Sequence, residues 1–298
     1  MRGVMETRQK AAWLLGGWLF LMGAATQANP LPAPVILDAP ASAHWHAASR
    51  SWFVSNLGGG LSFDTDGYGW ISRFDENGRL LASRWVEFLH APTGLTSIGD
   101  TLYAVDRGVL ALIDIPTARV RSRIDLPGAG IPNDVAAAPN GDLYVSDTAL
   151  NRIYRVSGNR SEVWLETDAL QGPSGLWVDG EELIVATWGP MTDIVTFAAE
   201  HPGTLLKVNL KTKELRPLGE GRPIANFAGI VKVDDVYYAT DWSGGQLLKL
   251  DPQGKATAVM RGFFQLADLG YSPAMRTLGL PVMRDNRFIL LHLDALRR

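Results

Sequence analysis

One pattern recurs six times along the chain and constrains its fold more than any other feature. Each copy contains an apolar strand-like run, and these runs read SWFVSN, TLYAVD, DLYVSD, ELIVAT, VYYATD and TLGLPV. A turn then leads to a second alternating run: GWISRFD, GVLALID, NRIYRVS, GTLLKVN, GQLLKLD and RFILLHL. Alternation of apolar and polar residues over such short runs is typical of strands that pack on one face.

Repeats of about 40 to 54 residues that each contain several strands are the signature of a β-propeller. Six copies therefore predict an all-β, six-bladed β-propeller. The strand-like stretch PVILDA, residues 34–39, precedes the first repeat, and the last repeat stops soon after its second or third strand. We expect this N-terminal stretch to complete the last blade, which closes the ring and removes open sheet edges. A β-sandwich, the alternative for many short strands, is disfavoured by six matching repeats.

The N-terminus carries the pattern of a secretory signal peptide. Arg2, Arg8 and Lys10 precede the apolar stretch AAWLLGGWLFLMGA, and the small residues of ATQA come before a cleavage site near Ala28. We expect residues 1–28 to be a signal peptide, residues 29–298 to form the propeller, and the mature protein to be periplasmic or secreted. An uncleaved membrane anchor is the alternative, although about 14 apolar residues are short for a bilayer span.

Composition and missing motifs exclude several classes of function. A formal net charge of -3 and a pI of about 6.0 provide no electrostatic basis for binding a nucleic-acid backbone. The absence of cysteine excludes disulfides, thiolate metal sites and cysteine nucleophiles. The sequence has no GxSxG elbow, and it has neither GxxxxGK[ST] nor GxGxxG for a nucleotide. The expected partners are a small-molecule ligand or an exported protein, with no membrane contact after signal removal.

The position at the start of each repeat is expected to face the mouth of the propeller's central channel. By register, the six positions are Ala41, Thr93, Asn133, Ser174, Ala228, and Ala267 or Asp268. Six side chains that face one small space predict a pocket. His90 precedes the second of these positions closely enough to reach the same mouth.

Several stretches resemble the senescence-marker-protein/gluconolactonase family of six-bladed propellers, which includes regucalcin and sugar lactonases. They are PAS…FVSN…GWISRF, PNDV…NGDLYVSDTALNRIYRV and ADLGY, within a likeness that covers residues 33–295 and is strongest to exported bacterial members. The resemblance implies a divalent ion, usually calcium, held at the channel mouth by a Glu, Asn residues and an Asp from different blades. Such an ion would polarise a lactone carbonyl and help to activate water.

The resemblance also shows how far this chain departs from that ligand set. The Glu position holds Ala41, one Asn position keeps Asn133, another holds Ser174, and the expected Asp position holds Ala228. Alanine supplies no side-chain oxygen and serine supplies a neutral one. A calcium site would therefore need Asp134, Asn226 or Asp268 to turn inward and replace the lost charge.

Two functions follow from these observations, and the sequence leaves open whether the protein is an enzyme. In the first, an exported gluconolactonase-family-like propeller binds a small ligand or partner at its central channel with its calcium-site residues largely lost. Its ligand-binding residues are then Thr93, Asn133, Ser174, Asn226 and His90.

In the second function, a lactonase-like or esterase-type hydrolase binds Ca²⁺ or another divalent metal through a rearranged set of Asn133, Asp134, Asn226 and Asp268. Its catalytic residues are Asp134 and Asp268, either of which is a candidate base. A third possibility is docking within an exported complex through an exposed apolar rim.

Other conspicuous side chains fit structural roles better than chemical ones. Asp106, Asp147 and Asp241 recur at the ends of matching strands, which favours turn residues over catalytic carboxylates. Trp188 and Trp242 follow the same strands, and we expect them at the opposite end of the ring from the channel mouth.

Two further segments carry possible metal ligands. His44 and His46 flank Trp45 and would share one face of a strand, but no third ligand is identifiable. Asp64 and Asp66 are spaced like the start of a calcium loop, but the complete EF-hand pattern is not present. A polar connection between strands is the simpler interpretation of that loop.

Overall fold

The computed structural model describes residues 37–59 and 65–297. In this part of the chain, six sheets of three or four strands follow one another in sequence order, and the strands within each sheet are antiparallel. The arrangement is a six-bladed β-propeller, and it confirms the all-β prediction. Of the stretch predicted to close the ring, residues 34–36 lie outside the described residues and residues 37–39 form no strand, so closure by this segment stays a prediction.

The first three blades have four strands each. Blade 1 contains β1 Pro40–His46, β2 Ser51–Asn56, β3 Gly69–Asp75 and β4 Leu80–Leu89. Blade 2 contains β5 Pro92–Ile98, β6 Thr101–Asp106, β7 Val109–Asp114 and β8 Arg119–Asp125. Blade 3 contains β9 Pro132–Ala137, β10 Leu143–Asp147, β11 Arg152–Ser157 and β12 Arg160–Glu166.

Two of the last three blades, blades 4 and 6, depart from this pattern. Blade 4 contains β13 Pro173–Asp179, β14 Glu182–Thr187, β17 Leu205–Asn209 and β18 Leu215–Pro217, with an inserted hairpin of β15 Met191–Asp193 and β16 Ala198–Ala199. Blade 5 contains β19 Phe227–Val233, β20 Val236–Asp241, β21 Gln246–Leu250 and β22 Ala256–Arg261. Blade 6 has three described strands, β23 Gly270–Ser272, β24 Thr277–Val282 and β25 Arg287–His292.

Helix is confined to two short 3-10 segments in the described residues, Asp168–Leu170 and Leu293–Arg297. Neither is long and apolar enough to cross a membrane.

The hydrophobic core lies between blades rather than inside any one of them. Each of six apolar clusters joins residues from two neighbouring blades, so the ring contains one cluster for each interface. This position explains why every residue of β2, β10 and β24 is buried while the outer strands are half exposed. Burial of a large apolar side chain contributes about 1.5 to 3 kcal/mol.

Side-chain packing joins blade 6 to blade 1. The Trp52 and Phe288 rings meet edge to face with centroids 5.9 Å apart. Gly270 permits this approach, because a Cβ there would lie 2.4 Å from the carbonyl oxygen of Ala43. Gly279 does the same, because its Cβ would lie 2.7 Å from the Trp52 ring.

Candidate functional site

Each four-stranded blade has an irregularity at the start of its innermost strand, and this irregularity positions one side chain of the site. The innermost strands are β1, β5, β9, β13 and β19, and each loses its ladder register against the second strand near its first residues. In blade 1, for example, Pro40 pairs with Asn56 and Ser42 pairs with Ser55, which leaves Ala41 as an extra residue. A bulge of this kind re-aims a side chain, so the same sequence position turns to the axis in blade after blade.

The six positions predicted from register lie around one cavity at the channel mouth. Ala41, Thr93, Asn133, Ser174, Ala228 and Ala267 line a space of about 60 Å³. We call these six residues the mouth layer. Ala267 and Asp268 both line the cavity, and Ala267 is the sixth member of the layer by register. Gln265, two residues before Ala267, accepts the N–H of Met283, just as the residues two positions before Ala41, Asn133, Ser174 and Ala228 accept a backbone N–H from the end of their own blade's second strand.

Polar atoms of the mouth layer bond mainly to the wall around them. The Asn133 amide nitrogen donates to the Ser174 hydroxyl at 3.0 Å and to the Thr148 hydroxyl at 3.2 Å. Ser174 in turn donates to the carbonyl of Ala228 at 3.2 Å. Thr93 donates to the carbonyl of Pro132 at 3.4 Å. These side chains therefore hold neighbouring blades together as well as lining the cavity.

One residue deeper along the same strands lies a second ring of positions. Its members, which we call the carboxyl layer, are Ser42, Gly94, Asp134, Gly175, Gly229 and Asp268. The two acids come from blades 3 and 6, which stand opposite each other in a ring of six. Glycine leaves space for them, because a Cβ at Gly94 would lie 2.7 Å from Asp134 Oδ1 and one at Gly229 would lie 2.0 Å from Asp268 Oδ1.

The Asp134 carboxylate is tied to backbone donors of two blades. Its Oδ1 accepts the N–H of Val135 at 2.6 Å, and its Oδ2 accepts the N–H of Leu176 at 2.7 Å. Burial raises the pKa of Asp134 to about 7, although both hydrogen bonds favour the charged form. Asp134 is therefore locked in place and titrates far above an ordinary aspartate.

Asp268 is held across the ring closure by blade 1. Its Oδ2 accepts a hydrogen bond from the Ser42 hydroxyl at 2.6 Å. Burial raises the pKa of Asp268 well above its usual range, and the negative charge of Asp134 raises it further. The hydrogen bond from Ser42 and the N–H of Leu269 act in the opposite direction.

Three aromatic rings form a wall of the mouth cavity, and two of them contradict the sequence-based expectation. Trp188, Phe197 and Trp242 all line it, so the prediction that Trp188 and Trp242 lie at the opposite end was wrong. The SWFVSN-type runs that precede these tryptophans are second strands, and they run back towards the mouth. A residue that follows an antiparallel second strand therefore lies at the same end as the start of the first.

The three rings contact one another. Trp188 lies 5.3 Å from Trp242 and 5.9 Å from Phe197 between ring centroids, and Phe197 lies 6.2 Å from Trp242. Phe197 belongs to the inserted hairpin of blade 4, and its carbonyl accepts the indole N–H of Trp188 at 3.1 Å. The sequence signal for this wall was the longer connection after ELIVAT, which supplies Phe197.

Asn226 and His90 are close in sequence to residues of the mouth layer, but neither lines the mouth cavity. The side-chain amide of Asn226 donates to the backbone carbonyl of Trp188 at 2.7 Å, and the backbone carbonyl of Asn226 accepts the N–H of Trp242 at 3.0 Å. Asn226 therefore braces the loops of both tryptophans. The His90 backbone N–H donates to Asp106 Oδ1 at 2.8 Å.

The repeated strand-end aspartates bind the backbone that leads into their own blades. Asp106 Oδ1 also accepts the N–H of Ala91 at 2.9 Å. Asp147 repeats the arrangement in blade 3, where its two oxygens accept the N–H groups of Gly130 and Ile131 at 2.8 and 3.0 Å. These contacts support the interpretation of the repeated aspartates as structural residues.

The paired histidines of β1 form bonds to blade 2. His44 Nε2 lies 2.8 Å from the Ser97 hydroxyl, and His46 Nε2 lies 3.0 Å from the carbonyl of Gly99. In the described residues, no group of three or more His, Asp or Glu side chains is placed to hold a metal ion. Of the suggested calcium loop, Asp64 lies outside the described residues, and Asp66 Oδ1 accepts the backbone N–H of Tyr68 at 3.0 Å.

Comparisons with known proteins agree with this architecture. No protein family and no curated protein matches the sequence. Among solved structures, a gluconolactonase from Xanthomonas campestris is similar with a TM-score of 0.63 and 14% identity, over 87% of this chain and 88% of that chain. Virginiamycin B lyase from Staphylococcus aureus matches with a TM-score of 0.54 and 12% identity, over 85% of this chain and 84% of that chain.

A chain of the nidogen/laminin complex is also similar, with a TM-score of 0.58 and 15% identity, over 78% of this chain and 84% of that chain. Identities this low show a shared fold rather than a shared activity. The chain is therefore a six-bladed β-propeller that has a gluconolactonase among its structural neighbours.

Proposed function

We propose that this protein is an exported, gluconolactonase-like propeller that binds a small ligand at the channel mouth, with an apolar group of that ligand in the mouth cavity. The observation that carries the proposal is the convergence of three aromatic rings on the mouth layer. Leu57, Ile131 and Met283 add further apolar surface to the same cavity. Ligand sites typically combine such surface with a few fixed polar groups, and here Asn133 and Ser174 supply them.

The donor set at the mouth does not fit the calcium ion that the family resemblance implies. Calcium takes six to eight oxygen ligands and favours carboxylates. Ala41 and Ala228 supply no side-chain oxygen, and the Ser174 hydroxyl is already bonded to Asn133 and Ala228. This chemistry supports a binding function without the metal.

The rival proposal, a metal-dependent lactonase-like hydrolase, needs Asn133, Asp134, Asn226 and Asp268 to act together. The amide nitrogen of Asn226 is bonded to the carbonyl of Trp188, and both Asp134 oxygens accept backbone N–H groups. Of these four residues, Asn133 and Asp268 line the mouth cavity. The rival therefore requires a rearrangement of the other two side chains.

A metal titration followed by a ligand screen separates the two proposals. The mature chain, stripped with chelator, is heated with and without calcium, magnesium, manganese or zinc, and then with small apolar metabolites. A ligand at about 100 times its dissociation constant stabilises the folded state by about 2.7 kcal/mol. We expect stabilisation by an apolar compound, lost in Trp242→Ala and retained in Trp85→Ala, a matched change on the outer strand β4. A saturable rise in Tm with a metal, abolished by Asn133→Ala, would instead support the hydrolase.

Export is part of the proposal and has its own test. The basic start and the apolar stretch before Ala28 lie outside the described residues, so the support is the sequence pattern. N-terminal sequencing of the protein recovered from cells is expected to begin near Asn29. A chain that still carries residues 1–28 and sediments with membranes would contradict export as a cleaved protein.

A further inference from the structure

The channel has a second, larger cavity at the end opposite the mouth. Its volume is about 420 Å³, and its wall is built from the later residues of the innermost strands. Asp134 and Asp268 are the lining residues nearest the mouth, and Asp268 borders both cavities. The carboxyl layer therefore separates a small mouth cavity from a far cavity whose size is typical of small-molecule sites, about 300 to 1,000 Å³.

The far cavity has acidic groups without basic ones. Among the residues that line it, two carry carboxyl groups and none is lysine or arginine. His44 also lines it, but burial and the neighbouring His46 lower the pKa of His44 to about 4, so its ring is uncharged at neutral pH. A cation that enters this cavity meets no competing positive charge from the lining.

The carboxyl groups are already oriented before any ligand arrives. Asp134 is held by the N–H groups of Val135 and Leu176, and Asp268 is held by the hydroxyl of Ser42. Fixing these groups in advance reduces the ordering cost of binding. Burial raises the pKa of both acids, and a bound ammonium ion would favour their ionised form.

Aromatic side chains line the more open part of the same cavity. Trp45, Trp177 and Tyr271 belong to three different blades and are half buried. The face of an aromatic ring attracts a cation by about 0.5 to 2 kcal/mol, depending on desolvation. The carboxyl layer and these rings thus favour the same chemical class of ligand.

We propose that the far cavity binds an organic ammonium ion, with its charged group towards Asp134 and Asp268 and its apolar body against Trp45, Trp177 and Tyr271. This site shares Asp268 with the lining of the mouth cavity but is otherwise built from different residues, and its ligand is chemically different. A neutral molecule of equal shape gains the aromatic contacts but loses the attraction of the carboxyl layer.

The test compares a cation with its neutral counterpart. Phenethylammonium chloride and 2-phenylethanol are titrated into the mature protein at constant ionic strength, and binding is followed by calorimetry. We expect saturable binding of the ammonium ion in the millimolar range or tighter, and at least tenfold weaker binding of the alcohol. Equal affinities, or no saturable binding of the ammonium ion, would overturn the proposal.

Variants locate the site and keep the test independent of the proposed mouth ligand. Asp268→Asn is expected to weaken phenethylammonium binding about tenfold, and Trp177→Ala about threefold. Trp242→Ala, a mouth variant, is expected to leave it unchanged. Loss of binding in Trp242→Ala with retention in Trp177→Ala would overturn the assignment to the far cavity. If Asp268→Asn does not fold, Trp45→Ala and Trp177→Ala still distinguish the two ends.

Discussion

The two ends of one channel are built from the same strands but differ in chemistry. The mouth is a small apolar cavity with three contacting aromatic rings, and its polar atoms bond largely to one another. The far end is a larger cavity that borders two carboxyl groups. Loops supply the aromatic wall of the mouth, whereas strand residues supply the far end. A propeller can therefore alter one end through its loops while its inner strands preserve the other.

The carboxyl layer separates the two ends, and disturbing it should have the largest effect. Gly229→Ala places a Cβ 2.0 Å from Asp268 Oδ1 and 2.7 Å from its Cα. Because backbone must move, we expect a loss of about 3 kcal/mol or more in the free energy of unfolding. Chemical denaturation measures it, with Gly108→Ala as the control because a Cβ there meets no atom within 4 Å. Equal stability of the two variants would contradict the packing described for this layer.

The aromatic wall distinguishes the mouth from the far end. Phe197→Ala removes one of the three rings, and aromatic pairs contribute about 0.5 to 1.5 kcal/mol each beyond burial. We expect a stability loss of about 2 kcal/mol and at least tenfold weaker binding of a mouth ligand. Phenethylammonium binding at the far end should not change. A parallel loss at both ends would show that the cavities do not act separately.

A hydroxyl group fixes one acid of the carboxyl layer. Ser42→Ala removes the donor to Asp268 Oδ2, and leaving a buried acceptor without its partner costs about 1 to 3 kcal/mol. We expect a loss of about 1 to 2 kcal/mol in the free energy of unfolding, measured in urea. The exposed Ser243→Ala is the control. An unchanged free energy of unfolding in Ser42→Ala would mean that the other contacts of Asp268 hold it in place.

The smallest predicted effect concerns pH at the far end. Burial and the nearby His46 lower the pKa of His44 from 6.5 in the unfolded chain to about 4 in the folded chain. Between pH 6.5 and pH 4, the unfolded chain therefore binds a proton at His44 that the folded chain does not. This contribution therefore lowers stability as pH falls from about 6.5 towards 4. His44→Gln keeps a hydrogen-bonding partner for Ser97 and should lose less Tm between pH 7 and pH 5 than the wild type. A larger loss of Tm in the variant would reverse the assigned sign.

The sequence by itself determined the fold and five of the six mouth positions. Six repeats of alternating strands specify six blades, because each repeat can bury its apolar faces only against its neighbours. The recurring phrase marks the bulge at which Thr93, Asn133 and Ser174 turn towards the axis. A further signal of this bulge, which the sequence analysis missed, is a hydroxyl side chain on the second strand of the blade. Ser146 accepts the N–H of Asp134 at 3.0 Å, and Thr240 accepts that of Gly229 at 3.0 Å, so both satisfy donors that the bulge leaves unpaired.

Only the tertiary structure decided the depth and direction of the remaining side chains. Ala267 and Asp268 differ by one residue in sequence, yet one belongs to the mouth layer and the other to the carboxyl layer, because adjacent positions in a strand occupy different levels and faces. Trp188 and Trp242 moved to the mouth because second strands return antiparallel to the first. The opposition of Asp134 and Asp268 depends on the closed ring, which places the third and sixth blades face to face although 134 residues separate the two acids in sequence.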